Sequence, residues 1–200
     1  MVTLNKKMKD PNEYRELLTL FKVGLASGLY SKEEVIKWAD FIIMQEEEPD
    51  IFFIELSLIK SKSEGISYLG RFLESDSLAN GKAVLGLLHK QLKEGQELDT
   101  IVRTMYDLKD EADFTELEKG YIYQIDGDYD LASTKVYGSL DNVRKETTDF
   151  LAIYADYGIE NQASWPELNK RIDSDLEEIN RAERENYLEE QKKPWWKKLW

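Results

Sequence analysis

Three aspartates at alternate positions, Asp126, Asp128 and Asp130, have the spacing with which a calcium-binding loop begins. An EF-hand loop carries oxygen ligands at its first, third and fifth positions, and it also needs glycine at the sixth and glutamate at the twelfth. Here those two positions hold Leu131 and Tyr137. We therefore predict no metal site, and we interpret residues 126–130 as a solvated turn whose carboxylates cap neighbouring helices.

Other groups that commonly carry out chemistry are sparse in this chain. There is no cysteine, so thiolate ligands and disulfides are excluded. The single histidine, His89, lies on a leucine-rich stretch, and neither a G-x-S-x-G elbow nor a phosphate-binding loop accompanies it. We interpret it as a surface or helix-edge residue. The sequence predicts a protein that is not an enzyme, with no catalytic residues and no cofactor.

The charge balance indicates which partners are favoured. With 40 acidic and 27 basic residues, the chain has a formal net charge of −13, which repels nucleic acid and favours basic partners. We predict a protein partner, and the candidate contacts are two acidic clusters: Glu46, Glu47, Glu48 and Asp50, then Asp126, Asp128 and Asp130. The alternative is that both clusters are ordinary solvated surface.

The last nine residues, KKPWWKKLW, differ in character from the rest of the chain. They combine Trp195, Trp196 and Trp200 with four lysines, and indole rings beside ammonium groups suit a membrane interface or a groove in a protein. Three interpretations stay open: docking on the acidic body or on a partner, weak membrane contact, and an ordinary flexible end. The three tryptophans join the candidate partner-binding residues.

Helix signals dominate the chain. Ser31 with Glu34, and Thr115 with Glu118, have the spacing of capping boxes, and apolar residues recur at helical intervals. Strand-like alternation is confined to residues 121–125. We predict an all-α fold, a bundle or short solenoid of antiparallel helix hairpins with a long C-terminal helix. The helix that begins at Thr115 is expected to end near residue 125.

Residues 31–59 read as two helices that meet at the acidic elbow of residues 46–50. Phe41 falls within a wide apolar stripe on the first helix. Residues 51–59 are apolar nearly all round, which predicts a segment buried on every side. Glu55 interrupts that run, and we interpret it as either a structural ion-pair member or an exposed edge residue.

The predicted domain organisation has three parts. Residues 1–160 form a helical domain, residues 161–191 form an amphipathic helix packed on it, and residues 192–200 form the basic, aromatic tail. No apolar run reaches the length of a signal peptide or a transmembrane helix. We therefore predict a cytoplasmic location.

Residues 117–140 resemble a tetratricopeptide helix-turn-helix. Six residues fall at the offsets of that repeat: Gly120, Tyr123, Gly127, Asp128, Tyr129 and Ala132. A glycine and a serine at 138–139 interrupt its second helix. The resemblance implies a turn near Gly127, and it implies an alternative function as a helical-repeat adaptor.

A longer resemblance rests on GLASGLYSKEEVIKWADFII and PDIFFIELSL, together with DGDYDLASTKVYGSLDNVRKETTDFLAIY. These stretches are similar to a family of small bacterial helical proteins of uncharacterised function. Proteins of this kind resemble immunity proteins, which bind and neutralise the secreted toxin of a neighbouring cell. The resemblance covers residues 12–157 and carries over no catalytic residue. It implies a toxin domain as the partner, and the acidic surface of the chain favours a basic one.

Overall fold

The computed structural model describes residues 9–74 and 77–192 of the 200-residue chain. Within those residues it contains nine α-helices and no strand, which confirms the predicted all-α class. The helices are α1 Arg15–Ser27, α2 Lys32–Ile43, α3 Ile51–Ser57, α4 Lys62–Phe72, α5 Gly81–Lys93, α6 Leu98–Asp107, α7 Glu116–Ser133, α8 Leu140–Ala152 and α9 Trp165–Lys192. Short 3₁₀ helices span Pro11–Tyr14, Leu108–Asp110 and Ile159–Ser164.

The chain divides into two compact units, Met1–Glu160 and Asn161–Trp200. The first unit contains α1 to α8, and the second contains α9. That the C-terminal helix packs on the helical domain stays a prediction. The three tryptophans of the tail lie outside the described residues.

Both capping boxes form as the sequence predicts. The Ser31 hydroxyl accepts a hydrogen bond from the Glu34 amide at 3.3 Å, and the Glu34 carboxylate accepts one from the Ser31 amide at 2.8 Å. In the second box the Thr115 hydroxyl accepts a hydrogen bond from the Glu118 amide at 3.2 Å, and the Glu118 carboxylate accepts one from the Thr115 amide at 2.7 Å. Each such cap satisfies amides that the first helical turn leaves unpaired, and it stabilises the helix by about 1 kcal/mol.

Helix pairs build the core of the first unit. α2 packs on α3 and α1 packs on α4, while α5, α6, α7 and α8 form a second group of packed neighbours. Edge-to-face aromatic contacts fill the interior of the first group, with ring centroids 5.1–5.8 Å apart; they join Tyr14, Phe21, Tyr30, Trp38 and Phe53. Such pairs add about 0.5–1.5 kcal/mol each beyond the area they bury.

The turn predicted at residues 126–130 is wrong. α7 continues through that stretch and ends at Ser133, and the connection to α8 follows, where Lys135 and Gly138 have positive φ angles of 58° and 77°. The residues that matched the tetratricopeptide turn, and those of the strand-like run, therefore lie on one continuous helix. Aspartate and glycine favour turns locally, but the packing of α7 on α6 and α8 overrides that preference.

Gly86 shows how closely α5 approaches the turn that follows α8. A Cβ atom at this position would lie 2.6 Å from the Tyr154 carbonyl oxygen and 2.7 Å from the Tyr157 Cβ atom. Because one of these atoms belongs to the backbone, it cannot rotate away. Gly86→Ala is expected to lower the free energy of unfolding by about 1–3 kcal/mol, measured by urea denaturation.

Gly127→Ala is the matched control. Gly127 lies on the exposed side of α7, and a Cβ atom there meets nothing within 4 Å. Alanine is expected to stabilise this helix by about 0.5–1 kcal/mol because it loses less backbone entropy than glycine. Equal effects at the two positions would contradict the close approach of α5 and α8.

Candidate protein-binding surface

The acidic elbow predicted from the sequence is the connection between α2 and α3. Two of its carboxylates have roles within the fold. Asp50 is the N-cap of α3, and its Oδ1 atom accepts a hydrogen bond from the Phe52 amide at 2.8 Å. Glu46 is half-buried near Tyr14, where burial and then the charges of Glu13 and Glu46 raise the pKa of the tyrosine hydroxyl. Asp50 is therefore occupied in capping α3, and Glu46 is partly withdrawn from solvent.

Glu47 and Glu48 are the carboxylates of the elbow that face solvent. Residues 44–58 hold five carboxylates and no lysine, arginine or histidine, so the negative charge of the segment is not balanced within it. Of the elbow residues proposed from the sequence, Glu47 and Glu48 are therefore the best placed to meet a partner.

Exposed apolar side chains surround the elbow, and here the structure corrects the sequence prediction. Phe41 is 60% exposed and Met44 85%, although Phe41 was expected in the inner stripe of its helix. Ile51 is 64% exposed and Leu58 67%, so the segment after the elbow is not buried on every side. Exposed apolar side chains grouped in this way are typical of an interaction site rather than of ordinary surface.

The two faces of α3 explain the error. Phe52, Phe53 and Leu56 point into the core, whereas Ile51 and Leu58 lie on the opposite face with the half-exposed Ile54 between them. Both faces are apolar, so hydrophobic periodicity cannot tell which one is buried. Only the packing of α2 against α3 decides it.

Glu55 lies on the outer side of α3 and is exposed, which is the second of the two roles considered for it. It is within reach of Tyr68 on α4. The Tyr68 hydroxyl donates a hydrogen bond to the Phe52 carbonyl at 3.1 Å. Burial, followed by the interaction with the nearby Glu55 carboxylate, raises the pKa of the Tyr68 hydroxyl. We define the α2–α3 surface as these exposed and half-exposed residues: Phe41, Met44, Glu47, Glu48, Ile51, Ile54, Glu55 and Leu58.

The second acidic cluster is largely neutralised within the fold. Arg103 of α6 lies against it, with Nη1 2.7 Å from the Asp126 carboxylate and Nη2 hydrogen-bonded to Asp130. The hydrogen bond to Asp130, together with the charges of Asp130, Asp126 and Asp99, raises the pKa of Arg103. Asp128 is half-buried on another side of α7. This cluster is therefore a weaker candidate for contact with a partner.

A second set of exposed apolar residues lies at the end of the α7–α8 hairpin. We call it the α7–α8 tip, and it consists of Leu131, Val136, Tyr137 and Leu140. Lys135 is the one charged residue between positions 131 and 140. The tip thus exposes four apolar side chains, as the α2–α3 surface does, but holds no carboxylate between positions 131 and 140.

Two further polar features are candidate sites, His89 and a cleft near the N-termini of α2 and α4. The Nε2 atom of His89 is buried, and within the described residues it neither accepts nor donates a hydrogen bond. His89 is half-buried on α5, and burial, together with the charge of Lys93, lowers its pKa. A shallow cleft of about 350 Å³ lies between the N-termini of α2 and α4. Its serines cap those helices, and Lys32 donates a hydrogen bond to the Lys60 carbonyl. In the described ranges, no group of acidic, histidine or cysteine side chains is arranged to hold a metal ion.

None of the helices in residues 9–74 and 77–192 is long and apolar enough to cross a membrane. Comparison with protein families, curated proteins and solved structures returned no match to this chain.

Proposed function

We propose that this chain is a non-catalytic, cytoplasmic binding protein that recognises a basic protein partner through the α2–α3 surface. The observation that carries the proposal is the combination of four largely exposed apolar side chains with carboxylates that no cation of the same segment neutralises. The exposed carboxylates attract a cationic partner at long range and orient it. The apolar side chains then supply the buried contact area on which stable association depends.

The kind of partner proposed is the toxic domain of a secreted bacterial protein, which the chain would neutralise in the manner of an immunity protein. The resemblance of residues 12–157 to such proteins supports this choice, as does the net charge of −13. Neutralisation requires no catalytic residue of this chain, because occupying the partner's functional surface is sufficient.

Charge reversal at Glu47 and Glu48 tests the proposal. The double substitution Glu47→Lys/Glu48→Lys places two cations where two exposed carboxylates stand. It is expected to weaken, by about 100-fold or about 2.7 kcal/mol, binding to a basic toxin domain that the wild-type chain binds. Calorimetry would measure the affinity, and survival of cells that express the toxin would measure protection.

Glu177→Lys/Glu178→Lys is the matched control, because it changes the net charge equally at two exposed positions of α9. It is expected to change the affinity by no more than about threefold, because a change in net charge away from the contact affects binding only weakly. If the wild-type chain neither bound the toxin domain nor protected the cells, the immunity function would be rejected. Equal losses in the two variants would reject the α2–α3 surface as the contact.

A further inference from the structure

The outer face of α3 has the composition of a helix face that is covered in an assembled structure. A helix that is apolar all round is normally buried all round. Here Phe52, Phe53 and Leu56 satisfy that rule on the inner face, while Ile51 and Leu58 remain largely exposed on the other. Within the described residues, α3 therefore lacks the layer that its sequence is suited to contact.

The spacing of the outer apolar residues indicates what kind of element fits there. Ile51 and Ile54 lie on α3, which is about 10 Å long, and Leu58 is the residue that ends it. Their spacing, i, i+3 and i+7, forms one stripe along the helix and its C-terminal end. A stripe of this kind packs against the matching stripe of a second helix, ridges into grooves. An extended strand projects alternate side chains at a spacing that does not match it.

The charges beside the stripe indicate the composition of that second helix. Glu55 lies on the same outer side of α3, and Glu47 and Glu48 precede its first turn. Residues 44–58 hold no cation, while from outside the segment Lys9 is hydrogen-bonded to Gln45 and Arg71 lies over the Tyr68 ring. A helix that covers the stripe would bring its flanking side chains to these carboxylates, so lysine or arginine at those positions is favoured and glutamate or aspartate is repelled.

We infer that the partner of this chain contacts α3 with an amphipathic basic helix, whose apolar stripe packs on the outer face of α3 and whose cationic flank meets the neighbouring carboxylates. This inference rests on the proposed function and specifies the partner's contacting element. A second copy of this chain does not fit, because like charges would face each other across the contact. The α7–α8 tip is a poorer site, because its most exposed apolar residues, Val136 and Tyr137, lie in the connection between the helices and its one charge is positive.

The probe is an 18-residue amphipathic helical peptide of leucine and lysine, compared with a scrambled peptide of the same composition that has no apolar face. Both are titrated at low salt into the full chain carrying labelled isoleucine methyl groups. The amphipathic peptide is expected to shift the methyl resonances of Ile51 and Ile54. The scrambled peptide is expected to bind at least about tenfold more weakly, because it offers charge without a matching stripe.

Two double variants locate the contact. Ile51→Ser/Leu58→Ser removes apolar side chains that are already exposed, so we expect folding to be preserved. It is expected to weaken binding of the amphipathic peptide by at least about tenfold. Val136→Ser/Tyr137→Ser makes an equivalent change at the α7–α8 tip and is expected to alter the affinity by less than about twofold.

The outcomes separate this inference from the function on which it rests. Equal affinity for the two peptides would reject the helical contact but would still support recognition of a basic partner. Equal sensitivity to the two double variants would reject α3 as the contact. If neither peptide bound at low salt, both the helical contact and the recognition of basic partners by this surface would be rejected.

Discussion

Replacing Lys82 by methionine is expected to lower the free energy of unfolding by about 3–5 kcal/mol. Lys82 and Glu118 are both buried, and the lysine Nζ atom lies 3.9 Å from Glu118 Oε1. The other carboxylate oxygen accepts hydrogen bonds from the Thr115 amide and hydroxyl at 2.7 and 2.8 Å. The capping box therefore holds the carboxylate in place, so it cannot turn towards solvent when its cation is removed.

The double variant Lys82→Met/Glu118→Gln is the control for this prediction. Glutamine serves at the same position of a capping box, so the cap of α7 is kept while the buried negative charge is removed. Most of the lost stability is expected to return, as urea denaturation would show. A Lys82→Met variant as stable as the wild type would mean that this lysine does not compensate the charge of Glu118.

Phe53→Ala is expected to lower the free energy of unfolding by a similar amount, about 3–5 kcal/mol. Its side chain is fully buried, with its ring 5.8 Å from those of Tyr14 and Trp38 and 5.5 Å from that of Phe52. Truncation would leave a cavity between α2 and α3, and it would also remove three edge-to-face contacts.

Phe41→Ala deletes the same ring from the facing helix, but from its exposed side. It is expected to change the free energy of unfolding by no more than about 0.5 kcal/mol and to weaken binding of the basic partner. Thermal and urea unfolding of the two variants, side by side, would measure the difference. Comparable destabilisation by Phe41→Ala and Phe53→Ala would show that Phe41 is part of the core.

The features that the sequence predicts correctly are those set by residues close together in the chain. The capping boxes at Ser31 and Thr115 each depend on a partner three residues away. The end of α1 depends on Gly28, whose φ angle of 85° suits a residue without a Cβ atom. Helix type and most helix starts follow from such local signals, and they suffice for the all-α class.

The errors arise where residues far apart in the chain decide the outcome. Arg103 meets Asp126 and Asp130 across 23 and 27 residues, and without knowledge of that contact the aspartates and Gly127 indicate a turn. Had α7 been recognised as continuous, the spacing of four residues between the two carboxylates would have placed them on one face, ready for a cation. On α3, apolar residues cover both faces, so only tertiary packing identifies the outer one.

The carboxylates beside the outer face of α3 also bear on how the free protein behaves before it meets a partner. An uncovered apolar helix face tends to pair with its own copy, and concentrated solutions favour such pairing. In a symmetric dimer the same patch would meet itself, so Glu47, Glu48 and Glu55 would each face like charges across the contact. We therefore expect these carboxylates to disfavour self-association through this face, by the same repulsion of like charge that would favour the proposed cationic partner.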